Sequence, residues 1–208
     1  MRIGVIQASS QAGKNRLIYD AAARSAVGHE VVNFGCLPEE EERYSYVEIS
    51  LAAGLLLKSR AVDFIVTGCS SGQGMALAMN SLPGVVCGYA PSPRDAYLFA
   101  QINNGNAVSL PLGEDYAYSG EENLRATLSL LFSEPFGQGY PRRDAARKTR
   151  DTLLWKSIRE RSQVGFFSLM EALDAPLVQK ALGKRGVADY ILAHSAQSEA
   201  AEWIRARR

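Results

Sequence analysis

The stretch from Asp63 to Asn80 constrains the fold most, because it joins an apolar run to a glycine-rich turn and then to a helical run. Phe64-Ile65-Val66 is typical of a short strand buried on both faces. The turn that follows reads Gly68-Cys69-Ser70-Ser71-Gly72-Gln73-Gly74, and the helical run covers Met75 to Asn80. Such a unit brings backbone amides to a helix N-terminus, so it favours a bound anion.

Cys69 is the candidate reactive side chain of this turn. Thiols beside a helix N-terminus and exposed amides commonly ionise more readily, and the same amides can stabilise an oxyanion. Two simpler interpretations stay open from the residues alone. Cys69 can be a buried apolar residue at a strand end, and the glycines can serve only a tight turn of the kind common in α/β folds.

Five short apolar runs alternate with helical patterns along the chain. This alternation predicts a three-layer α/β/α Rossmann-like fold with a five-stranded parallel sheet. The predicted strands are 3–6, 30–34, 64–66, 85–87 and 107–110, and the predicted helices are 16–26, 46–59, 75–80, 94–102 and 120–132. Glu39-Glu40-Glu41-Glu42 is interpreted as a solvated helix start. Because crossovers are right-handed, we expect loops 8–15, 36–45, 68–74, 88–93 and 103–106 to share one edge of the sheet and to form a site there.

The character of the chain changes at about residue 141. Residues 1–141 contain nine basic and fourteen acidic residues, whereas residues 142–208 contain fourteen basic and eight acidic residues. We therefore predict an α/β domain over 1–141 and a helical C-terminal extension over 142–208. Arg142 and Arg143 open the extension, either as a guanidinium fork for phosphate or as part of a solvated basic face.

Composition excludes several classes of function. A net charge of +1 argues against a general nucleic-acid binder, and the longest apolar run, Leu51 to Leu57, is too short to cross a bilayer. No signal peptide is visible, which predicts a cytoplasmic protein. Cys36, Cys69 and Cys87 lack metal-ligand spacing and neighbouring histidines, so we expect no metal site and no disulfide framework. Lys14 lies at the positive end of a helix dipole, where it can contact a phosphate or be a solvated surface lysine.

Three motifs resemble the RpiB/LacA/LacB sugar-phosphate isomerases over roughly residues 1–150. Residues 68–80 resemble the family signature Cys-Gly-Thr-Gly-x-Gly…Ala-x-Asn-Lys, and residues 101–108 resemble its His-Asn-x-x-Asn-Val segment. Pro135-Phe136-Gly137-Gln138-Gly139, followed by Arg142-Arg143, is similar to its Phe-x-Gly-Gly-Arg-His-x-x-Arg ending.

The resemblance implies an aldose–ketose isomerase that acts on a sugar phosphate, such as ribose 5-phosphate or a related pentose or hexose phosphate, through an enediolate and without a cofactor. Cys69 and Ser71 would be catalytic, with Cys69 as the base and the amides of residues 70–74 holding the enediolate oxygen. The implied substrate-binding residues are Ser10, Gln11, Lys14, Tyr46, Ser70, Gly72, Gln73, Gly74, Asn103, Arg142 and Arg143.

The resemblance also implies a homodimer or homotetramer with sites between subunits, in which the arginines reach the neighbour's phosphate. The tail offers apolar residues that need covering: Leu153, Leu154, Trp155, Phe166, Phe167 and Leu169.

The chain departs from the family pattern at three positions. The family's Asp-His after the first strand is Ser10-Gln11, its ring-opening histidine is Ile102, and the first arginine of its ending is Tyr140. These departures leave open a non-catalytic sugar-phosphate-binding protein on the same fold. A hydrolase is a further alternative, because residues 68–72 also spell Gly-x-Ser-x-Gly, with His194 as the available base.

Overall fold

The structure, a computed structural model, describes residues 1–208 and contains one five-stranded, all-parallel sheet between layers of helices. The strands are β1 Arg2–Val5, β2 Glu30–Asn33, β3 Phe64–Cys69, β4 Cys87–Tyr89 and β5 Ala107–Pro111. They lie in the order β2-β1-β3-β5-β4, with β3 central. The predicted α/β/α fold class is thus confirmed.

Ten α-helices surround the sheet. Five belong to the alternating part of the chain: α1 Asn15–Ser25, α2 Tyr46–Lys58, α3 Gln73–Asn80, α4 Pro93–Leu98 and α5 Gly120–Leu131. Five follow it: α6 Ala145–Ser162, α7 Phe166–Ala172, α8 Ala175–Leu182, α9 Val187–His194 and α10 Glu199–Arg205. A π-helical turn, Phe99–Asn103, extends α4, and a 3-10 turn, Ser9–Lys14, precedes α1. No helix is both long enough and apolar enough to cross a membrane.

The alternation along β3 divides the core into two parts. Phe64 and Val66 pack into one cluster with residues of α1, α4 and α5. Ile65 packs into the other cluster, which contains residues of α2, α3 and the C-terminal helices α7–α10. Side chains alternate across a strand, so β3 anchors both helical layers at once.

The C-terminal helices pack against the outer side of α2 rather than standing apart. A Cβ added to Gly54, within α2, would lie 3.0 Å from the Phe166 ring, and the Phe167 and Trp203 rings are 5.5 Å apart between centroids. The expectation that Phe166 and Phe167 need covering by another subunit is therefore wrong, because this chain buries both.

Two local predictions are also wrong. Glu39–Glu42 lies in a loop, because α2 begins only after Ser45, whose hydroxyl accepts from the Val47 amide at 3.1 Å. Strand β4 begins at Cys87 rather than Val85, because the Val85 amide is engaged in a turn with the Leu82 carbonyl at 3.2 Å.

Candidate active site

The turn between β3 and α3 is fixed by its contact with β5. Gly72 has φ +75°, and a Cβ there would come within 2.8 Å of the backbone of Leu110 and Pro111. The Ser109 hydroxyl donates to the Gly72 carbonyl at 2.6 Å. Only glycine meets both the backbone conformation and the close approach. The turn is thus held rigidly at the carboxyl edge of the sheet.

Three amides of this turn have no acceptor within the protein. Ser70, Ser71 and Gly72 donate no backbone hydrogen bond within the protein, and the Ser71 hydroxyl has no partner. The first amides of α3 also lack intrahelical acceptors, as at every helix start. Cys69 ends β3 directly before these amides, with its side chain 7% exposed. A thiol and a row of unused donors therefore lie together, as an enediolate would require.

Ser10 and Gln11 lie beside the turn, as predicted. The Ala8 amide donates to the Gly68 carbonyl at 3.1 Å, which brings the 3-10 turn Ser9–Lys14 against the end of β3. Gln11 Nε2 then donates to Ser70 Oγ at 3.1 Å, and Ser70 Oγ lies 3.5 Å from Ser10 Oγ. These contacts make residues 9–14 one wall of the site.

Tyr46 forms a second wall. It is the first residue of α2, and its ring carbons lie 3.5 Å from where a Cβ on Gly74 would stand. The phenol is partly exposed and lies over the start of α3. Gln73 is exposed next to it.

Lys14 contacts a third wall of the site, the loop 112–119, which the sequence analysis did not predict. Its Nζ donates to the Leu112 carbonyl, lies 2.6 Å from Glu114 Oε1, and lies 3.7 Å from the centroid of the Tyr118 ring. Its side chain is only 19% exposed, and Glu114 is its ion-pair partner. The loop 112–119 reaches the site because it follows the end of β5, and the Gly113 amide donates to the Ser70 carbonyl at 2.9 Å. The acidic pair Glu114-Asp115 directly after a strand was the available signal.

Loop 103–106 does not share this edge, so that prediction is wrong. It leads into the start of β5, and the Asn106 carbonyl accepts from the Ile65 amide near the start of β3 at 3.0 Å. Asn103 therefore lies roughly 13 Å of strand away from the glycine turn, at the opposite edge. The error came from assigning a loop before a strand to the edge where strands end.

Arg142 lies on the same side as Asn103. Its Nη1 donates to Gln101 Oε1 at 3.3 Å and to the Gly139 carbonyl at 2.9 Å, and its Nη2 pairs with Glu134. Arg143 is exposed and makes no hydrogen bond or ion pair. Asn103, Arg142 and Arg143 thus form a second group of predicted site residues, separate from Cys69 within one chain.

The other cysteines and the histidines lie outside the turn. Burial raises the pKa of the Cys87 thiol to about 12 and also raises the pKa of Cys36, so neither is suited to act as a base. His194 Nδ1 donates to the Tyr190 carbonyl at 3.0 Å, and His29 lies 3.1 Å from the N-terminal amine. No histidine contacts Ser70, which removes the geometry that a Ser-His hydrolase needs. No cluster of three or more His, Cys, Asp or Glu side chains is placed to hold a metal.

The main clefts of the protein do not enclose the turn. None of the five is lined by a residue between Gly68 and Gly74, whereas Asn103 and Asn104 line clefts at the opposite edge. The glycine turn therefore lies outside these five clefts.

The known proteins to which this chain is similar are isomerases. The family model described as Ribose/Galactose Isomerase matches residues 3–147. A crystal structure of 4-deoxy-L-threo-5-hexosulose-uronate ketol-isomerase complexed with a tartrate is 36% identical, covers 99% of this chain and 98% of its own, and has a TM-score of 0.93. The ribose-5-phosphate isomerase of Vibrio parahaemolyticus is also 36% identical, with coverages of 99% and 98% and a TM-score of 0.92.

The type B ribose 5-phosphate isomerase of Trypanosoma cruzi shares the fold at 21% identity, with a TM-score of 0.65. It covers 78% of this chain and 100% of its own length, whereas each of the two structures at 36% identity covers 99% of this chain. No curated protein matches the sequence significantly.

Proposed function

This chain belongs to the ribose/galactose isomerase family, and from that premise we propose that it is a cofactor-independent aldose–ketose isomerase with Cys69 as its base. The observation that carries the proposal is the row of unused amides at Ser70, Ser71 and Gly72 directly after the thiol. Isomerisation needs a base at the carbon beside a carbonyl and donors for the oxygen that becomes negative.

The reaction follows from these two parts. The Cys69 thiolate takes the proton from C2 of the aldose, and the carbonyl oxygen becomes the enediolate oxygen held by the amides. The thiol then returns a proton to C1, while the hydroxyl proton moves from O2 to O1, giving the ketose. Ser71, whose hydroxyl has no partner in the protein, is available to carry this second proton.

The complete site lies between two subunits in this proposal. Asn103, Arg142 and Arg143 cannot reach Cys69 of their own chain, because the sheet separates them. Helix α6 lies beside this second group, since Thr152 Oγ1 donates to the Ile102 carbonyl at 2.7 Å. The helix exposes Leu153, Leu154 and Ile158 to solvent, an apolar surface suited to a second copy of the chain.

Sugar phosphates are the first substrate class, with ribose 5-phosphate and related pentose or hexose phosphates as candidates. The free Arg143 guanidinium suits a phosphate, which carries nearly two negative charges. The 36% identity to a ribose-5-phosphate isomerase over nearly the whole chain supports this class.

A 4-deoxy-5-hexosulose uronate is the second candidate, favoured by Ile102 at the position of the family's ring-opening histidine. Such a compound has no hydroxyl on C4 or C5, so its aldehyde cannot close the usual sugar ring and needs no residue to open one. Its carboxylate carries one charge, which fits a site whose Lys14 is already matched by Glu114. The ketol-isomerase structure with 36% identity is described as acting on a compound of this class.

One experiment separates these possibilities. The protein is incubated in deuterated water with ribose 5-phosphate, allose 6-phosphate, galactose 6-phosphate and 4-deoxy-L-threo-5-hexosulose uronate, and the C2 proton of each is followed by NMR. Loss of the proton signal with product formation identifies the substrate class. Binding of at least one of these compounds, with exchange in none of them, would support a non-catalytic binding protein and overturn the isomerase proposal.

A further inference from the structure

Lys184 is the one lysine whose side chain is completely buried, at 0% exposure. Its Nζ lies 2.8 and 3.1 Å from the two carboxylate oxygens of Glu40 and 3.3 Å from the Gly35 carbonyl. The ammonium also lies 5.2 Å from the centroid of the Tyr44 ring. A buried charge is tolerated only with such partners, so these contacts fix the positions of both the lysine and the loop that surrounds it.

The partners of Lys184 all belong to the loop 34–45, which joins β2 to α2. Arg185 Nε adds a bond to Glu40 at 3.0 Å. One helical turn earlier, Lys180 Nζ lies 3.2 Å from Glu42. Three basic residues of the C-terminal extension therefore hold acidic residues of the first part of the chain, which accounts in part for the opposite net charges of the two parts.

The same loop is bonded to the wall of the site. The Tyr44 amide donates to Ser9 Oγ at 2.8 Å, and the Ser9 amide donates back to the Tyr44 carbonyl at 3.0 Å. Ser9 directly precedes Ser10 and Gln11, which contact Ser70.

The loop also ends at the second wall. Ser45 caps α2, and the next residue, Tyr46, lies over Gly74. A single segment thus connects the buried lysine to both flanks of the glycine turn.

We propose that Lys184 is a positioning residue, through which the C-terminal extension holds loop 34–45 and sets the positions of Ser10, Gln11 and Tyr46 for substrate binding. The inference rests on the proposed isomerase function, because it assigns these three residues to the substrate. Lys184 acts through the loop and does not touch the substrate. Loss of its charge should therefore weaken substrate binding more than it slows the chemistry at Cys69.

The test compares Lys184→Met with Lys180→Met, which removes an exposed pair from the same helical hairpin. Kinetics use the compound that shows exchange with the wild-type protein. For Lys184→Met we expect KM to rise about tenfold with kcat changed by less than about threefold. For Lys180→Met we expect a rise in KM of less than about threefold, because its pair with Glu42 is more exposed to solvent. Equal changes in kcat and KM for the two variants, or no change in KM for Lys184→Met, would overturn the proposal.

Amide hydrogen exchange by mass spectrometry gives a readout that does not depend on catalysis. For Lys184→Met we expect faster exchange in residues 9–11 and 36–46, with β5 and α5 unchanged, even if no tested compound is a substrate. A uniform increase over the whole chain would show a purely structural role and overturn the proposal, while leaving the isomerase function intact.

A second variant covers the case in which Lys184→Met does not fold. The double variant Lys184→Met/Glu40→Gln removes both charges, which costs less than leaving one buried charge unpaired. It should fold and still show faster exchange confined to residues 9–11 and 36–46. Wild-type exchange in those segments would contradict the proposal.

Discussion

Cys69 and Asn103 lie at opposite ends of the parallel strands of the sheet, Cys69 at the carboxyl end and Asn103 at the amino end. Cys69 pairs with Pro111 at the end of β5, whereas Asn103 is the first residue of the loop 103–106 that leads into the start of β5. Both belong to the set of site residues that the sequence predicts, so the predicted site residues of a single chain fall into two separate groups. In the proposed dimer, each complete site takes one half from each subunit.

Subunit complementation tests this arrangement. Cys69→Ser and the double variant Asn103→Ala/Arg143→Ala should each be almost inactive alone, because each damages both sites of a homodimer. Co-expressed, they should form hybrid dimers with one intact site, so a random mixture should recover about one quarter of wild-type isomerase activity. A mixture of Cys69→Ser with Cys69→Ala is the matched control and should recover none.

The apolar face of α6 provides the second prediction. Leu154→Glu/Ile158→Glu should yield monomers by light scattering and abolish isomerase activity, because charges would be buried at the subunit contact. Leu130→Glu, at an exposed apolar position on α5, should leave the dimer intact. A wild-type protein that is monomeric at micromolar concentration would contradict both this prediction and the shared site.

The third prediction concerns Cys69. Cys69→Ser should lower kcat by about 10² to 10⁴-fold with little change in ligand affinity, because a hydroxyl is a far weaker base than a thiolate at neutral pH. Cys87→Ser should spare the proton exchange, since burial raises the pKa of that thiol to about 12. Normal exchange of the C2 proton in Cys69→Ser would assign the base to another group.

Much of the fold could be predicted because its signals are local. Apolar runs such as Phe64-Ile65-Val66 identify the strands, and the glycine-rich residues 68–74 identify the turn between β3 and α3. The wrong placement of loop 103–106 shows the limit of such signals. A turn motif shows that the chain reverses direction. Whether the turn lies at the amino or the carboxyl end of the strands depends on whether a strand follows or precedes the turn.

The rest of the site depends on contacts between residues far apart in the chain. Lys14 and Glu114 are one hundred positions apart, and their pairing arises only when β1 and β5 are aligned through β3. Lys184 and Glu40 are separated by 144 positions. Both a lysine in a short helical hairpin and a run of acidic residues are typical of a solvated surface. Composition alone therefore predicts that Lys184 and Glu40 are exposed, whereas the fold buries Lys184 completely and Glu40 largely.

Glu114 gives the fourth prediction. Glu114→Gln should free the charge of Lys14 and tighten binding of ribose 5-phosphate by up to about fivefold, because an ion pair with a solvent-exposed carboxylate contributes at most about 1 kcal/mol. Asp115→Asn makes the same charge change on the same loop without touching Lys14, so it should have a smaller effect. Titration calorimetry of both variants measures the difference, and equal affinities for the two would show that Lys14 does not meet the phosphate.

The fifth prediction is a pH dependence of stability through Glu40. Burial alone would raise the pKa of this carboxyl, but hydrogen bonds and charge from Lys184 and Arg185 outweigh burial and lower the pKa below its ordinary value of 4.5. A lowered folded-state pKa means that the stabilisation is fully present above pH 4.5 and is lost as the pH falls through the folded-state value. The free energy of unfolding of the wild-type protein should therefore exceed that of Lys184→Met/Glu40→Gln by more at pH 7 than at pH 3. Urea denaturation at both pH values measures this difference in the free energy of unfolding. Glu42→Gln is the control for an exposed carboxylate. A difference that does not shrink on acidification would show that Glu40 is not stabilised by its basic partners.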